Sequence, residues 1–225
     1  MANISIIIPT LNEARSLLPL LAQLQPWRSK GDEVLIVDGG SIDSMSEATW
    51  GLIDALIDSP KGRSTQLNAG ARESSNAVFW FLHADSNISG IDRVTFVEQV
   101  KNDNFWGFFD ARIEDTAFIF RVIESLMSFR SRTSFVATGD QGIFVSRGLF
   151  FEVGGYKSIA LMEDIELCKT LRKKSVPTYP EGTILTSSRR WRSKGIIRTI
   201  TLMWFIRLAW VLGISSKVLQ RIYEK

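Results

Sequence analysis

Three largely apolar runs, each followed within two residues by polar ones, constrain the fold of this chain most. They are "ISIII", "VLIV" and "VFWFL", and helical spacing of apolar residues follows the first of them in "SLLPLLAQL". Continuous apolar runs predict strands that are buried on both faces, because an exposed face would carry alternating polar residues. The sequence therefore predicts an α/β fold with a mixed, mostly parallel sheet and helices on both faces.

The rest of the chain fits one extended sheet. A further strand is predicted at "DALID", before the helix in "GRSTQLNAGAR". In the second half, "NFWGFFDARI" and "QGIFVSR" are typical of strands, and "AFIFRVIESLMSFRSR" and "MEDIELCKTLRKKS" of helices. Since no linker or repeat separates the halves, we interpret the second as a mixed extension of the same sheet.

Composition excludes several protein classes. The chain has 225 residues, 45% of them hydrophobic, which favours a globular protein with a real core over a disordered one. Its single cysteine, Cys168, excludes an internal disulfide. The start "MANISIIIPT" lacks the basic residues and cleavage site of a secretory signal, so we expect a cytoplasmic protein, with peripheral attachment to the inner face of the cell membrane as an alternative.

Polar residues cluster directly after the predicted strands. Asn12 and Glu13 follow the first strand, Asp38 the second, Arg63 the third, and His83 with Asp85 the fourth. In open α/β sheets the ligand binds outside the carboxyl ends of the strands, where these loops meet. The sequence therefore predicts a ligand site at this edge.

Six short motifs in a fixed order identify the kind of site. "SIIIPTLNEA", "IVDGGSID", "GRSTQLNAGA", "FLHADS", "GGY" and "MEDIEL" together resemble the family 2 glycosyltransferases, which have the GT-A fold that binds nucleoside diphosphate sugars. The "LHAD" and "TGDQGIF" variants are similar to those of a small bacterial subfamily. The resemblance implies a glycosyltransferase, with a UDP-sugar preferred as donor, a hydroxyl acceptor and inversion at the sugar. A non-catalytic nucleotide-sugar or lipid-binding module of the same fold is the alternative.

The resemblance also divides the chain. It implies one GT-A domain over residues 1–188, with a nucleotide-binding half at about 1–90 and an acceptor half at about 91–188. A basic, aromatic-rich helical extension over residues 189–225 follows. A nicotinamide dehydrogenase is excluded, because its G-x-G-x-x-G turn is absent after the first strand.

Two strand ends are expected to hold the nucleoside. The resemblance implies that Asp38 binds the base, with Gly40 in the same loop, and a carboxylate makes strong charge-assisted hydrogen bonds. A turn in which Asp38 bonds its own backbone is the alternative. Pro9, Thr10, Asn12 and Glu13 are implied to contact base and ribose, while Thr10 or Asn12 as a helix N-cap is the other interpretation.

Basic residues are candidates for the diphosphate. Arg63 begins the helix after the third strand, and the resemblance suggests contact with the base or diphosphate. Arg189 or Arg190 in "TSSRRW" is a second candidate, because a guanidinium matches the geometry of phosphate oxygens. A solvated basic surface explains either position equally well.

The triplet His83-Ala84-Asp85 matches the family's Asp-X-Asp motif. The resemblance implies that Asp85 binds a divalent metal, Mn²⁺ or Mg²⁺, which commonly uses one or two carboxylates together with substrate phosphates. His83 replaces the usual first aspartate. It is a metal ligand, a ribose contact or a support for Asp85.

Two adjacent carboxylates are expected to carry the chemistry. In an inverting transfer the acceptor hydroxyl loses its proton to a general base, and the resemblance implies Asp164 in this role, with Glu163 beside it. Acidic residues stabilised at a helix N-terminus are the structural alternative. Asp140 and Gln141 are expected to orient acceptor hydroxyls, and Gly154 and Gly155 to permit a tight loop.

The C-terminal segment has a separate charge pattern. From Arg189 onward it contains nine Lys or Arg against one Glu, interleaved with tryptophans and aliphatic residues. Its apolar runs are too short to cross a bilayer. Residues 195–214 are expected to contact a membrane surface and a lipid-linked acceptor, or instead to pack on the core or form a homodimer. No nucleic-acid partner is predicted, because no nucleic-acid module is recognisable.

Overall fold

The predicted apolar strands form the centre of a six-stranded sheet in the computed structural model, which describes residues 2–43, 45–100 and 104–224. The strands are β1 (Ile4–Thr10), β2 (Glu33–Asp38), β3 (Ala55–Asp58), β4 (Val78–Phe81), β5 (Trp106–Gly107), β6 (Asp110–Glu114), β7 (Phe144–Ser146) and β8 (Thr183–Ser187). The helices are α1 (Ala14–Arg28), α2 (Met45–Thr49), α3 (Arg63–Glu73), α4 (Arg93–Gln99), α5 (Phe118–Ser134), α6 (Arg147–Glu152), α7 (Glu163–Leu171), α8 (Arg189–Lys194), α9 (Ile196–Val211) and α10 (Ser216–Glu224).

The strand order of this sheet is β3-β2-β1-β4-β7-β5. The first four strands in this order run parallel, and β7 and β5 continue the sheet with antiparallel pairing. The register places Thr10 opposite Asp38 and Asp38 opposite Asp58, so the carboxyl ends of β1, β2 and β3 lie at one level. The predicted α/β fold with a mostly parallel sheet is confirmed.

The prediction for the second half is only partly right. Strands β5 and β7 extend the main sheet, but β6 pairs in parallel with β8 in a separate two-stranded sheet. The single strand predicted in "NFWGFFDARI" is therefore wrong. Phe108 and Phe109, both fully buried, lie between β5 and β6, and the chain leaves the main sheet at this point as their rings enter the core.

Each face of the main sheet is covered by its own apolar core. On one face α1 and α4 pack on β1, β2 and β4, with Trp27 and Trp80 in ring contact at 5.1 Å. On the other face α3, α6 and α7 pack around Phe79, Phe81 and Phe150. Because both faces are covered, ligand access is left to the edge where the strands end.

The C-terminal segment forms three helices, and the division at residue 188 stays a prediction. Phe120 and Ile123 of α5 pack against Trp191 of α8 and Ile200 of α9. Farther along α9, Ile206 packs against Met162, directly before α7. Within the described ranges, every helix is too short or too polar to cross a lipid bilayer.

Candidate active site

A cleft opens at the carboxyl ends of β1 and β4. Pro9, Thr10, Leu11, Glu13, Arg63, Gln66, His83, Ala84 and Asp85 line it. All of these except Leu11 and Gln66 are predicted site residues. The structure therefore brings together residues from the first, third and fourth predicted loops.

A smaller cavity lies behind this cleft. Its polar lining consists of Arg63, His83, Tyr156, Glu163 and Asp164. Arg63 and His83 line both spaces, so they form the wall between the cleft and the predicted catalytic carboxylates. A ligand in the cleft would meet the carboxylate pair across this wall.

Arg63 is held by the acidic residues of α7. Its Nε lies 3.3 Å from Glu163 Oε1, and Glu163 is almost fully buried. Burial acts to lower the pKa of Arg63, but Glu163, Asp164 and Asp140 outweigh it and raise that pKa above its ordinary value. The guanidinium therefore stays charged at the junction of the two spaces.

The two carboxylates of α7 are less acidic than in water. Burial, followed by the charge of Asp164, raises the pKa of Glu163 to about 6. Burial also raises the pKa of Asp164, although Arg63 and two backbone N–H groups oppose it. A carboxylate with a raised pKa is a stronger base than an exposed one, which suits proton abstraction near neutral pH.

Asp164 is fixed by backbone groups on both sides. Its Oδ2 accepts a hydrogen bond from the Gly139 N–H at 2.9 Å, and its Oδ1 accepts one from the Ile165 N–H at 2.7 Å. Met162, the residue before α7, has φ of +73°, a left-handed conformation that is strained for this side chain. The predicted alternative of acidic residues at a helix N-terminus is thus also observed.

His83 is a neutral side chain in a tight space. Its Nε2 is buried without a hydrogen-bond partner among the described residues. Burial and then the charge of Arg63 hold the pKa of His83 well below its ordinary value. A Cβ at Gly139 would lie only 2.5 Å from this Nε2, so only glycine fits at position 139. The positive charge of Arg63 acts on this ring and would repel a metal ion bound to it, which argues against His83 as a direct metal ligand.

Glu13 and Asp85, two carboxylates that line the cleft, suit a divalent cation whose other ligands are the phosphate oxygens of a bound diphosphate. After burial, the charge of Asp85 is the largest cause that raises the pKa of Glu13, so the two groups lie close together. The described residues contain no group of three or more acidic, His or Cys side chains arranged to hold a metal ion alone. The donor set thus fits Mg²⁺ or Mn²⁺ as such ions bind beside substrate phosphates, with one or two protein carboxylates.

The loop after β2 is organised by Asp38. Its Oδ2 accepts a hydrogen bond from the Ser41 N–H at 2.9 Å, and the Ser41 hydroxyl also donates to Asp38. Gly40 has φ of +90° and so adopts the conformation that this turn requires. The predicted turn is observed, and Asp38 does not line the cleft. Contact of Asp38 with a base stays a prediction.

Asn12 ties the first two loops together. Its backbone N–H donates to the Ser41 hydroxyl at 2.8 Å, and its Oδ1 accepts from the Ile42 N–H at 2.9 Å. Neither Asn12 nor Thr10 caps α1, because Glu13 occupies the N-cap position and the Ala14 N–H donates to Asp43 at 3.0 Å. The N-cap interpretation is therefore wrong.

Gln66 is a site residue that the sequence analysis does not single out. Its Nε2 donates to the carbonyl oxygens of Thr10 and Val37, both at 2.8 Å. It therefore clamps the ends of β1 and β2 under the cleft. Its place in "GRSTQLNAGA", between Arg63 and the apolar face of α3, is the only sequence signal for it.

The two predicted acceptor residues have different surroundings. Asp140 is partly exposed and close enough to Asp164 to raise its pKa. Gln141 is fully buried, and its Oε1 accepts hydrogen bonds from the Ser131 hydroxyl and the Thr138 N–H. Its amide is used inside the protein, so the structure gives no support to Gln141 as an acceptor contact.

The loops on the acceptor side are shaped by glycines. Gly154 and Gly155 both have positive φ, as the predicted tight loop requires. Asn68 of α3 holds the backbone of Tyr156, the residue after Gly155. Its Oδ1 accepts a hydrogen bond from the Tyr156 N–H at 2.9 Å, and its Nδ2 donates one to the Tyr156 carbonyl at 2.7 Å. The Tyr156 side chain is thereby fixed in the wall of the inner cavity.

One of the two C-terminal arginines lies near the cleft. The charge of Arg189 lowers the pKa of Glu13, against the larger effects of burial and Asp85, which raise it. The side chain of Arg190 lies outside the described residues. Arg189 does not line the cleft, and its charge reaches the cleft carboxylate Glu13 from α8.

The sequence and the fold match known proteins. The sequence model of the family described as Glycosyl transferase family 2 matches residues 5–176. No curated protein matches the sequence significantly. Among solved structures, the mannosyltransferase PcManGT from Pyrobaculum calidifontis, in complex with GDP-Man and Mn²⁺, is similar with 18% identity and a TM-score of 0.66. The match covers 92% of this chain and 61% of that one.

Two further structures support the same fold. S. aureus TarS 1-349 in complex with UDP has 12% identity and a TM-score of 0.63, over 82% of this chain and 60% of that one. Glucosyl-3-phosphoglycerate synthase from Mycobacterium tuberculosis, in complex with Mn²⁺, UDP and glucosyl-3-phosphoglycerate, has 16% identity and a TM-score of 0.57, over 83% of this chain and 70% of that one. The chain thus spans about three fifths of the PcManGT chain and of the TarS 1-349 chain.

Proposed function

The chain belongs to glycosyl transferase family 2, and on that premise we propose that it transfers a sugar from a nucleoside diphosphate sugar to a hydroxyl acceptor. A UDP-sugar is the preferred donor, and the transfer inverts the anomeric centre. The observation that carries the proposal is that Arg63 and His83 line two adjacent spaces. One is the cleft at the strand ends, and the other is the cavity lined by Glu163 and Asp164.

The cleft supplies what the donor requires. A nucleoside diphosphate needs hydrogen-bonding groups for base and ribose, and positive charge for the phosphates. Backbone and side-chain groups at Pro9, Thr10 and Glu13 line one part of the cleft, and Arg63 another. Since a guanidinium binds phosphate oxygens in two-point contact, Arg63 is assigned to the diphosphate, with Arg189 as a second candidate.

The proposed cofactor is Mn²⁺ or Mg²⁺, held by Asp85 with Glu13 beside it. When bound, the ion would neutralise charge that develops on the leaving diphosphate. Two adjacent carboxylates with no basic partner at ion-pair distance among the described residues, one of them with a raised pKa, support this assignment. His83 acts as a neutral neighbour of Arg63 and shapes the site.

Asp164 is proposed as the general base. Its two hydrogen bonds from backbone N–H groups fix the carboxylate. The ion pair of Arg63 with Glu163 fixes the neighbouring carboxylate. The acceptor hydroxyl gives its proton to Asp164 as its oxygen attacks the anomeric carbon, and the nucleoside diphosphate leaves from the opposite face. Asp140, near Asp164, is assigned to the acceptor.

The test is turnover of UDP-sugars and GDP-sugars, measured as nucleotide released, by the wild-type protein and by Asp164→Asn. Loss of a general base costs about 10²–10⁴-fold in rate. We expect Asp164→Asn to lose turnover to this extent and to keep its affinity for the nucleotide. Equal turnover in the variant would overturn the assignment of the base, and binding without turnover in the wild-type protein would favour a non-catalytic module.

A further inference from the structure

Two neighbouring helices expose apolar side chains in the same way. On α5, the exposed residues are Phe118, Ile119, Val122, Leu126 and Phe129, with Phe118 79% and Phe129 70% accessible. At 3.6 residues per turn they fall within an arc of about 100° of the helix. They form one continuous stripe. Single exposed apolar residues are common on protein surfaces, but a continuous stripe of them indicates an interaction site.

Helix α9 carries a second stripe. Its exposed apolar residues, with Leu212 at its end, are Ile197, Trp204, Phe205, Leu208, Val211 and Leu212. They cover an arc of about 120°. The same helical geometry places Arg198 at one border of this arc and Arg207 at the other. Basic side chains therefore flank the apolar stripe.

The two stripes lie on helices that pack against one buried cluster. The opposite face of α5 packs, through Phe120, Ile123 and Met127, against Trp191 of α8 and Ile200 of α9. Because this cluster joins the helices, both exposed stripes are carried by one packed unit. We name this unit, the exposed apolar residues of α5 and α9 with Arg198 and Arg207, the α5–α9 surface.

We propose that the α5–α9 surface docks on a lipid bilayer that contains anionic lipids. An apolar stripe between basic side chains is the pattern of a helix that lies in the membrane interface. The C-terminal segment from residue 189 carries nine Lys or Arg and one Glu, and anionic headgroups attract such a segment. Docking of a second copy on the same surface would bring like charges together.

Helix α9 borders the candidate site, because its Ile206 packs against Met162, directly before α7. Arg130 of α5 and Arg207 of α9 lie near each other, since burial and then their mutual repulsion lower the pKa of Arg130 to about 10. Asp140 and Asp164 act on both arginines in the opposite direction. Neither arginine forms an ion pair with a described carboxylate; Arg130 donates to the Ser131 hydroxyl at 3.0 Å.

This position has a consequence for the acceptor. One guanidinium group from each helix, Arg130 and Arg207, lies close enough to the proposed base, Asp164, for that carboxylate to raise its pKa. A lipid-borne acceptor with an anionic headgroup would therefore reach the base while its chain stays in the bilayer. The docking does not depend on the proposed function, whereas this consequence rests on it.

The test is flotation of the purified protein with vesicles of phosphatidylcholine alone and of phosphatidylcholine with phosphatidylglycerol. We expect the protein to float with the anionic vesicles and far less with the neutral ones. Trp204→Ser/Leu208→Ser on α9 should reduce anionic-vesicle binding by about tenfold or more, since each apolar side chain contributes to burial in the interface. Leu126→Ser/Phe129→Ser should do the same from α5.

The control is Trp50→Ser, which removes a tryptophan that is 88% accessible, against 69% for Trp204, from outside the surface. It should bind as the wild-type protein does. No flotation with anionic vesicles, or full binding by both double variants, would overturn the proposal. A dimer in light scattering that Trp204→Ser/Leu208→Ser dissociates would assign the surface to a second copy. Because UDP titration of the same preparations reports the nucleotide site separately, failure of the surface and failure of the proposed function can be distinguished.

Discussion

Gly139 donates a backbone hydrogen bond to Asp164 Oδ2 at 2.9 Å, and it does so from a position where no side chain fits. A Cβ there would lie 2.3 Å from Arg63 Nη2 and 2.5 Å from His83 Nε2. One glycine therefore sets both the position of the proposed base and the close approach of the wall residues.

Gly139→Ala is expected to impair turnover more than folding. The added methyl group would displace the Arg63 guanidinium, which lies 2.3 Å from it. A displacement of about 1 Å in an active site costs up to about 10²-fold in rate. Turnover, measured as nucleotide released from the donor, should fall by about 10- to 100-fold. The control is Gly148→Ala, because Gly148 lies on α6 with no atom within 4 Å of the added carbon. Equal activity of the two variants would contradict the account.

Glu163→Gln tests the raised pKa through stability. The folded pKa of Glu163 is about 6 and the ordinary value is 4.5, so the folded protein binds this proton more tightly than the unfolded chain. The contribution of Glu163 to stability is therefore complete below about pH 4.5 and is lost as the pH rises through about 6. The loss amounts to about 2 kcal/mol.

The measurement is urea denaturation at pH 4.5 and pH 7.5. The free energy of unfolding of Glu163→Gln minus that of the wild-type protein should be larger at pH 7.5 than at pH 4.5. Glu98→Gln, an exposed change on α4, is the control and should show no such difference. If the effect of Glu163→Gln on the free energy of unfolding is the same at both pH values, the raised pKa is wrong.

Gln66→Leu tests the clamp under the cleft. The change removes one hydrogen bond from each of the carbonyl oxygens of Thr10 and Val37, although these keep the Gly39 N–H and the Thr10 hydroxyl as donors. Two lost hydrogen bonds together cost about 1–3 kcal/mol. We expect the free energy of unfolding to fall by that amount and the affinity for UDP to fall with it. Glu73→Gln, exposed at the end of the same helix, should change neither. A stable Gln66→Leu protein with unchanged UDP affinity would show that the clamp has no role.

The central sheet could be predicted from the sequence, because buried parallel strands leave a local signal. "ISIII" and "VLIV" contain enough apolar residues in a row to define β1 and β2, and the polar residues after them mark the ligand edge. The clustering of Glu13, Arg63 and Asp85 follows from that topology alone. The separation of β6 from β5 does not, since it depends on where Phe108 and Phe109 find space in the core.

Contacts between distant residues could not be predicted. Gln66 reaches carbonyl groups 56 and 29 residues away, and no local pattern distinguishes it from other polar residues of α3. The Gly139 contact is similar, because it depends on the side chains of Arg63 and His83. The predicted acceptor role of Gln141 likewise depended on sequence position, whereas the burial of its amide is decided by Ser131 and Phe109.

The most direct test of the proposed nucleotide and metal site is calorimetric titration of UDP and GDP into the protein with Mn²⁺, with Mg²⁺ and with chelator. The titrations are repeated on Asp85→Ala, with Glu98→Ala as the control for loss of an exposed carboxylate. The account predicts UDP binding that requires the metal, is abolished or strongly weakened in Asp85→Ala and is unchanged in Glu98→Ala. Failure of the wild-type protein to bind either nucleotide under any of these conditions would contradict it.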